Sequence, residues 1–112
     1  MGVLVITEPA TQQEIQEMLK ALNEYIKVAV DISKGILAGG GALHADCESA
    51  LIQEGSKQED IWGADWVPDR KEVRFEAMIN IAPRRKNRSM EIQDPVIREK
   101  VKTIAESLLN VK

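Results

Sequence analysis

Four of the fifteen lysine and arginine residues in this 112-residue chain fall between Arg84 and Arg88, within the stretch INIAPRRKNRS at 79–89. The chain as a whole carries a formal net charge of -3, so the cluster runs against its background. Guanidinium forks pair bidentately with carboxylate and phosphate, which makes Arg84, Arg85 and Arg88 candidate receivers of an anion. Gln58 and Asn87 would orient such a group and Trp62 would wall it, with Ser89 also near. A helix opening just beyond the cluster would add its free backbone N–H groups. The plainer reading is that the arginines pair with Glu59, Asp60 and Glu91 and only shape two loops. Exposed pairs of that kind contribute about 0–1 kcal/mol each.

A second set lies in GGGALHADCE at 39–48. A glycine-rich turn between strand and helix can cradle an anion, but no Lys-Ser or Lys-Thr follows and the P-loop spacing is absent. A structural turn is expected, using the positive φ that glycine allows. His44, Asp46, Cys47 and Glu48 are metal-ligand types. With a single His and a single Cys, a zinc site would need carboxylates or a second subunit to reach about four ligands, so no metal or other cofactor is expected. His44 and Cys47 have the i, i+3 spacing of a nucleophilic pair, yet no oxyanion hole or orienting third group is visible. Cys47 falls on an apolar stripe and reads as buried and inert. Trp62 and Trp66 read as core beneath helices rather than a base-stacking platform.

These residues need a scaffold, and composition bounds it. With 44% hydrophobic and 29% charged residues, the chain suits one globular domain over residues 1–112. No apolar run approaches the ~20 residues of a membrane helix. The opening MGVLVITEPA lacks the basic and long apolar regions of a signal peptide, and Ile6 occupies the Ser/Thr position that myristoylation at Gly2 would require. One lone thiol is most easily kept in a reducing compartment, so a cytoplasmic protein is expected. The acidic balance argues against a duplex nucleic acid partner, which needs a broad basic face.

VLVI at 3–6 predicts a first strand. Thr11 with Glu14 forms a capping box, and Ile15, Met18, Leu19 and Leu22 continue at helical spacing to about Asn23. From Tyr25 the period becomes two, with Ile26, Val28, Val30 and Ile32 on one face. SKG at 33–35 then turns the chain into ILAGG as a hairpin partner. Leu43, Cys47, Ala50 and Leu51 predict a second helix stopped by Gly55. Strands at 62–67 and 73–81 form a second hairpin that Pro83 ends. Asp94 and Pro95 open a last helix with Ile97, Val101, Ile104 and Leu108 inward. The order is βαββαββα, and the fold class is α+β, an antiparallel sheet with helices packed on one face. Its other face would carry Lys27, Asp31, Asp65, Arg74, Glu76 and Asn80 around Ala29 and Met78, solvated or used as a polar homodimer contact. Hairpin geometry brings 55–60 beside 82–89. A helix from 45 to 54 spans about 15 Å and sets His44 at the end away from the basic loop.

Several stretches also resemble a family of small prokaryotic proteins of uncharacterised function. The first runs through Gly40, Gly41, Leu43, His44, Ala45, Asp46 and Glu48, the second through Gly55, Ser56, Gln58, Glu59, Asp60, Trp62 and Gly63. The third comprises Ile79, Asn80, Ile81, Pro83, Asn87, Arg88 and Ser89, and the last Asp94, Pro95, Arg98, Glu99 and Lys100. The likeness covers most of the chain from about residue 26. Cys47, where the family pattern has Ala, and the RRK before Asn87 depart from it. The resemblance implies membership and brings no activity.

The expectation is a binding or interaction module rather than an enzyme, taking an anionic small molecule or protein partner at Gln58, Glu59, Asp60, Trp62, Arg84, Arg85, Asn87 and Arg88. The rivals are a small enzyme using His44 with Asp46, Glu48 or Glu59, and a structural homodimer without ligand.

Overall fold

In a computed structural model, which describes residues 3–111, the alternation that begins at Ile26 lies at the middle of a five-stranded antiparallel sheet. Gly2 lies outside the described residues. The elements are β1 (Leu4–Ile6), α1 (Gln12–Leu19), β2 (Ile26–Asp31), β3 (Ile36–Gly39), α2 (His44–Gln53), β4 (Ile61–Val67), β5 (Glu72–Arg74) and α3 (Pro95–Leu109). Three 3₁₀ turns, Gln58–Asp60, Met78–Asn80 and Pro83–Arg85, fall among them. The order is βαββαββα and the strands lie as β1-β3-β2-β4-β5. A radius of gyration of 12.4 Å fits one α+β domain of this length.

Local chemistry sets the helix ends. Thr11 Oγ1 accepts from the Glu14 N–H at 3.1 Å while Glu14 Oε1 accepts from the Thr11 N–H at 2.9 Å, closing the capping box. Asp94 Oδ1 accepts from the Val96 N–H at 2.8 Å, and Pro95 follows at the first helical position. Gly55, at φ +100, ends α2, and the Ser56 N–H returns to the Leu51 carbonyl at 3.0 Å.

The helices divide between the two faces of the sheet, where the sequence reading placed them together. Ile26, Val28, Val30, Leu37, Trp62, Ala64 and Trp66 pack with Ile15 and Met18 of α1 and Val101 and Leu108 of α3. On the opposite face Ala29, Ala38 and Ile61 pack with Cys47 and Leu51 of α2. That face is therefore not the open polar surface expected. Ala29, Asp31 and Asn80 are each 0% exposed, while Arg74, Glu76 and Met78 of the same expected set stay exposed, so only part of that surface is covered within the chain.

The second hairpin is shorter than its alternation predicts. Pairing ends at Asp65 opposite Arg74, after which the chain leaves the edge of β4. Ala77 and Ile79 cross over Gly63, where a Cβ atom would stand 2.4 Å from the Ala77 Cβ, so only glycine admits the crossing. Asn80 then supplies what a neighbouring strand would have supplied. Its Oδ1 accepts from the Gly63 N–H at 2.7 Å, and its Nδ2 donates to the Gly63 and Met90 carbonyls at 3.0 Å each.

Candidate functional site

The 3₁₀ turn Gln58–Asp60 and the segment after β5 meet at the start of β4, as the hairpin argument requires, although the return path is two 3₁₀ turns and not a long strand. Arg85 makes the junction. Its Nη1 donates to the carbonyls of Ile61 at 2.7 Å and Glu59 at 3.2 Å, its Nη2 donates to Ile79 O at 3.3 Å, and the guanidinium stacks 3.8 Å from the centre of the Trp62 ring. Burial lowers the Arg85 pKa, opposed by the negative charges of Glu48 and Asp60. The ion pairs expected between Arg84 or Arg85 and Glu59 or Asp60 do not form among the described residues, where the pairs are Lys20–Glu17, His44–Asp65 and Arg74–Glu72. Backbone carbonyls take the place of the carboxylates.

Asn87 is 2% exposed and serves the loop itself. Its Nδ2 lies 2.9 Å from the carbonyls of Asn80, Ser89 and Glu91, and its Oδ1 accepts from the Gln93 N–H at 2.9 Å. The Asp60 carbonyl accepts from the Ile32 N–H at 3.0 Å, tying this turn to the end of β2. Arg88 is exposed and donates its backbone N–H to Gln93 Oε1 at 3.1 Å, outside the groove described next.

Beside this junction runs a groove of ≈ 500 Å³. Of the candidate residues, Gln58, Glu59, Arg84 and Arg85 line it; Asp60, Trp62, Asn87 and Arg88 do not. Glu48, Ile79, Ile81, Ala82 and Pro83 complete it. None of these five was among the residues expected to take the ligand; Glu48 was expected only beside His44, as a metal-ligand type or in a small enzyme, and Ala82 and Pro83 only as parts of the basic loop. The signal for Glu48 was its place one turn along α2 from His44, on the face turned to β4, and the groove thus reaches closer to His44 than the end-to-end expectation held. Arg84 is exposed and has neither ion pair nor hydrogen bond among the described residues, while Ile81, 47% exposed, presents apolar surface. A hollow of ≈ 590 Å³ along α3, lined by Ile32, Val96 and Ile104, is larger but mainly apolar and holds none of the candidate residues.

His44 stands apart. Its Nε2 lies 2.9 Å from both the Ala64 carbonyl and Asp65 Oδ1, and since a carbonyl only accepts, Nε2 carries the hydrogen. Cys47 is fully buried, its Sγ donating toward the Lys27 carbonyl at 3.4 Å, and burial raises its pKa. Among the described residues no three His, Cys, Asp or Glu side chains are placed to share a metal ion, and no helix is long and apolar enough to cross a membrane.

The family model described as Protein of unknown function (DUF5674) matches residues 4–108. The chain belongs to this family. That span holds every strand and the whole groove, so the groove is part of the DUF5674 domain and not an appendage to it. Neither the curated proteins nor the solved structures contain a match.

Proposed function

We propose that this DUF5674 chain is a recognition module that binds a segment of a partner protein in the groove between Gln58–Glu59 and Ile79–Arg85. The observation that carries this reading is Arg84, an exposed cation without a partner among the described residues, on the same wall as the half-exposed Ile81. Arg84 would receive a carboxylate of the segment while an apolar side chain settles on Ile79, Ile81 and Pro83. Glu48 and Glu59 line the same groove, so its charges are mixed. That mixture suits a peptide with both signs of charge better than a free phosphate, which the two carboxylates would repel. Arg85 is spent on three carbonyls and a tryptophan face, and holds the wall rather than the ligand.

Selection from a displayed library of random peptides tests this. Binders to the parent should carry Asp or Glu near an apolar residue, and Arg84→Glu should weaken them at least about tenfold, the loss of one well-placed charge pair. A library yielding no binder, or binders indifferent to Arg84→Glu, counts against the assignment.

A further inference from the structure

The outward side of α3 carries a feature that the groove does not use. Val96 is 62% exposed in the first turn of the helix. One exposed aliphatic side chain is ordinary, but this one borders the hollow of ≈ 590 Å³, whose apolar wall continues through Pro95 and Ile104 to Ile32 just beyond β2. Glu99, Lys100 and Thr103 complete the lining, so residues 96, 99, 100 and 103 make one stripe at the i, i+3, i+4, i+7 spacing of a helix face. Val101, Ala105 and Leu108 are buried on the opposite side of the helix. Neither Glu99 nor Lys100 belongs to an ion pair among the described residues.

The order of the charges points to the occupant. Glu99 and Lys100 stand side by side at the middle of the stripe, with Val96 about one turn before them and Thr103 about one turn after. Laid antiparallel on itself, such a stripe is self-complementary: Val96 meets Thr103, Pro95 meets Ile104, and Glu99 meets Lys100 twice, once in each direction. A helix of any other sequence would have to carry the same charges in the same order. We propose that two copies of this chain associate through the hollow, their α3 helices lying antiparallel about a two-fold axis that passes between residues 99 and 100. At the ~8–10 Å separation usual for packed helices, the hollow of each copy receives the helix of the other and Ile32 is covered. The hollow shares no lining residue with the groove, so substitutions on this stripe leave the walls of the groove intact.

The lining set is small beside the ~20–30 residues a side of a standard interface, so the dimer belongs to the weak class, and sedimentation of the full chain should be followed from about 10 μM to about 1 mM. The parent is expected to pass from monomer toward dimer over that range. Glu99→Lys and Lys100→Glu should each weaken self-association at least about tenfold, because the two-fold axis doubles every reversed pair. Mixed in equal amounts, the two variants should associate with each other at least as tightly as the parent does with itself, since every charge contact between them is again Lys against Glu. Lys102→Glu, the same charge change outside the stripe, should leave the association of the parent unchanged. The reversals exchange one good helix former for another at exposed positions, so an unchanged Tm in dilute solution shows that a lost dimer is not a lost fold. Four results would overturn the proposal. A parent that stays monomeric at the highest concentration leaves the hollow to a partner of another sequence. A dimer that both reversals leave intact puts the contact elsewhere. An equal loss in Lys102→Glu reduces the effect to net charge. The last is a mixture of the two reversals that stays monomeric.

Discussion

Toward α1 and α3 the sheet presents Ile26, Val28, Val30, Leu37, Trp62 and Trp66, whereas toward α2 it presents Ala29, Ala38 and Ile61 beside Asp31 and Gly63. The first face closes by apolar area alone, worth about 25 cal/mol for each Å² buried. Small residues on the second let α2 and the crossing segment approach closely, but they leave little area to bury, and polar staples finish the closure. Ser56 Oγ donates to Asp31 Oδ2 at 2.6 Å, Asp31 Oδ1 accepts from the Ser33 and Lys34 N–H groups, and Asn80 pairs with both backbone groups of Gly63. Apolar packing tolerates a change of shape that keeps volume. A staple tolerates no change of chemistry, because its buried partners are left unpaired.

The largest effect should come from setting one such change against the other. Asn80→Leu nearly preserves volume but strands the Gly63 N–H, the Gly63 carbonyl and the Met90 carbonyl, and should cost about 3 kcal/mol or more at about 1–3 kcal/mol per orphaned group, with partial relaxation. Leu37→Met on the opposite face should cost under about 1.5 kcal/mol. Urea unfolding of the two variants checks the pair, and equal losses would erase the distinction between the faces. Arg85→Met should come next, at about 1–3 kcal/mol, because the carbonyls of Glu59, Ile61 and Ile79 lose a charged donor and Trp62 loses its cation. The same variant should raise the hydrogen-exchange rate in the Gln58–Asp60 turn, whereas a loss spread evenly over the sheet would show that Arg85 is not a local tie.

This contrast also explains how much of the molecule was legible in its sequence. The capping box at Thr11 and Glu14, the Asp94-Pro95 start of α3 and the alternation through β2 are local chemistry and could be read directly. The position of α2 could not be read from a period of two alone. The contiguous apolar run of Val28, Ala29 and Val30 did hint at a strand buried on both sides. Residues 75–81 kept a strand's alternation while leaving the sheet, since Ala77 and Ile79 also need burial on the far side; Gly63, the glycine inside β4, was the available clue. At the candidate site, the convergence of Glu59 with Arg85 followed from the predicted hairpin, but the bonding did not. Sequence shows which carboxylates lie near an arginine, while the carbonyls that bind it become available only once the chain has turned.

The smallest effect separates the faces by pH. Cys47 is the titratable group within the apolar part of the α2 face, and burial raises its pKa, with Asp46 adding to the rise and the Gly41 backbone and Lys27 opposing it. The folded chain therefore keeps the thiol proton at a pH where the unfolded chain has lost it. The unfolded state then binds fewer protons, and stability falls as pH increases. Cys47 should contribute its full stability below the ordinary thiol range of about pH 8.5 and lose it progressively above that value, toward its raised pKa. Cys47→Ala should flatten this fall, so urea midpoints of parent and variant should differ by an amount that changes between pH 7.5 and about pH 9.5, with the parent losing more. The α1 and α3 face buries no cysteine, so Leu37→Met should follow the parent's slope throughout. Parallel pH curves for Cys47→Ala and the parent would mean that water reaches the thiol, and that the α2 face opens in a way its apolar counterpart does not.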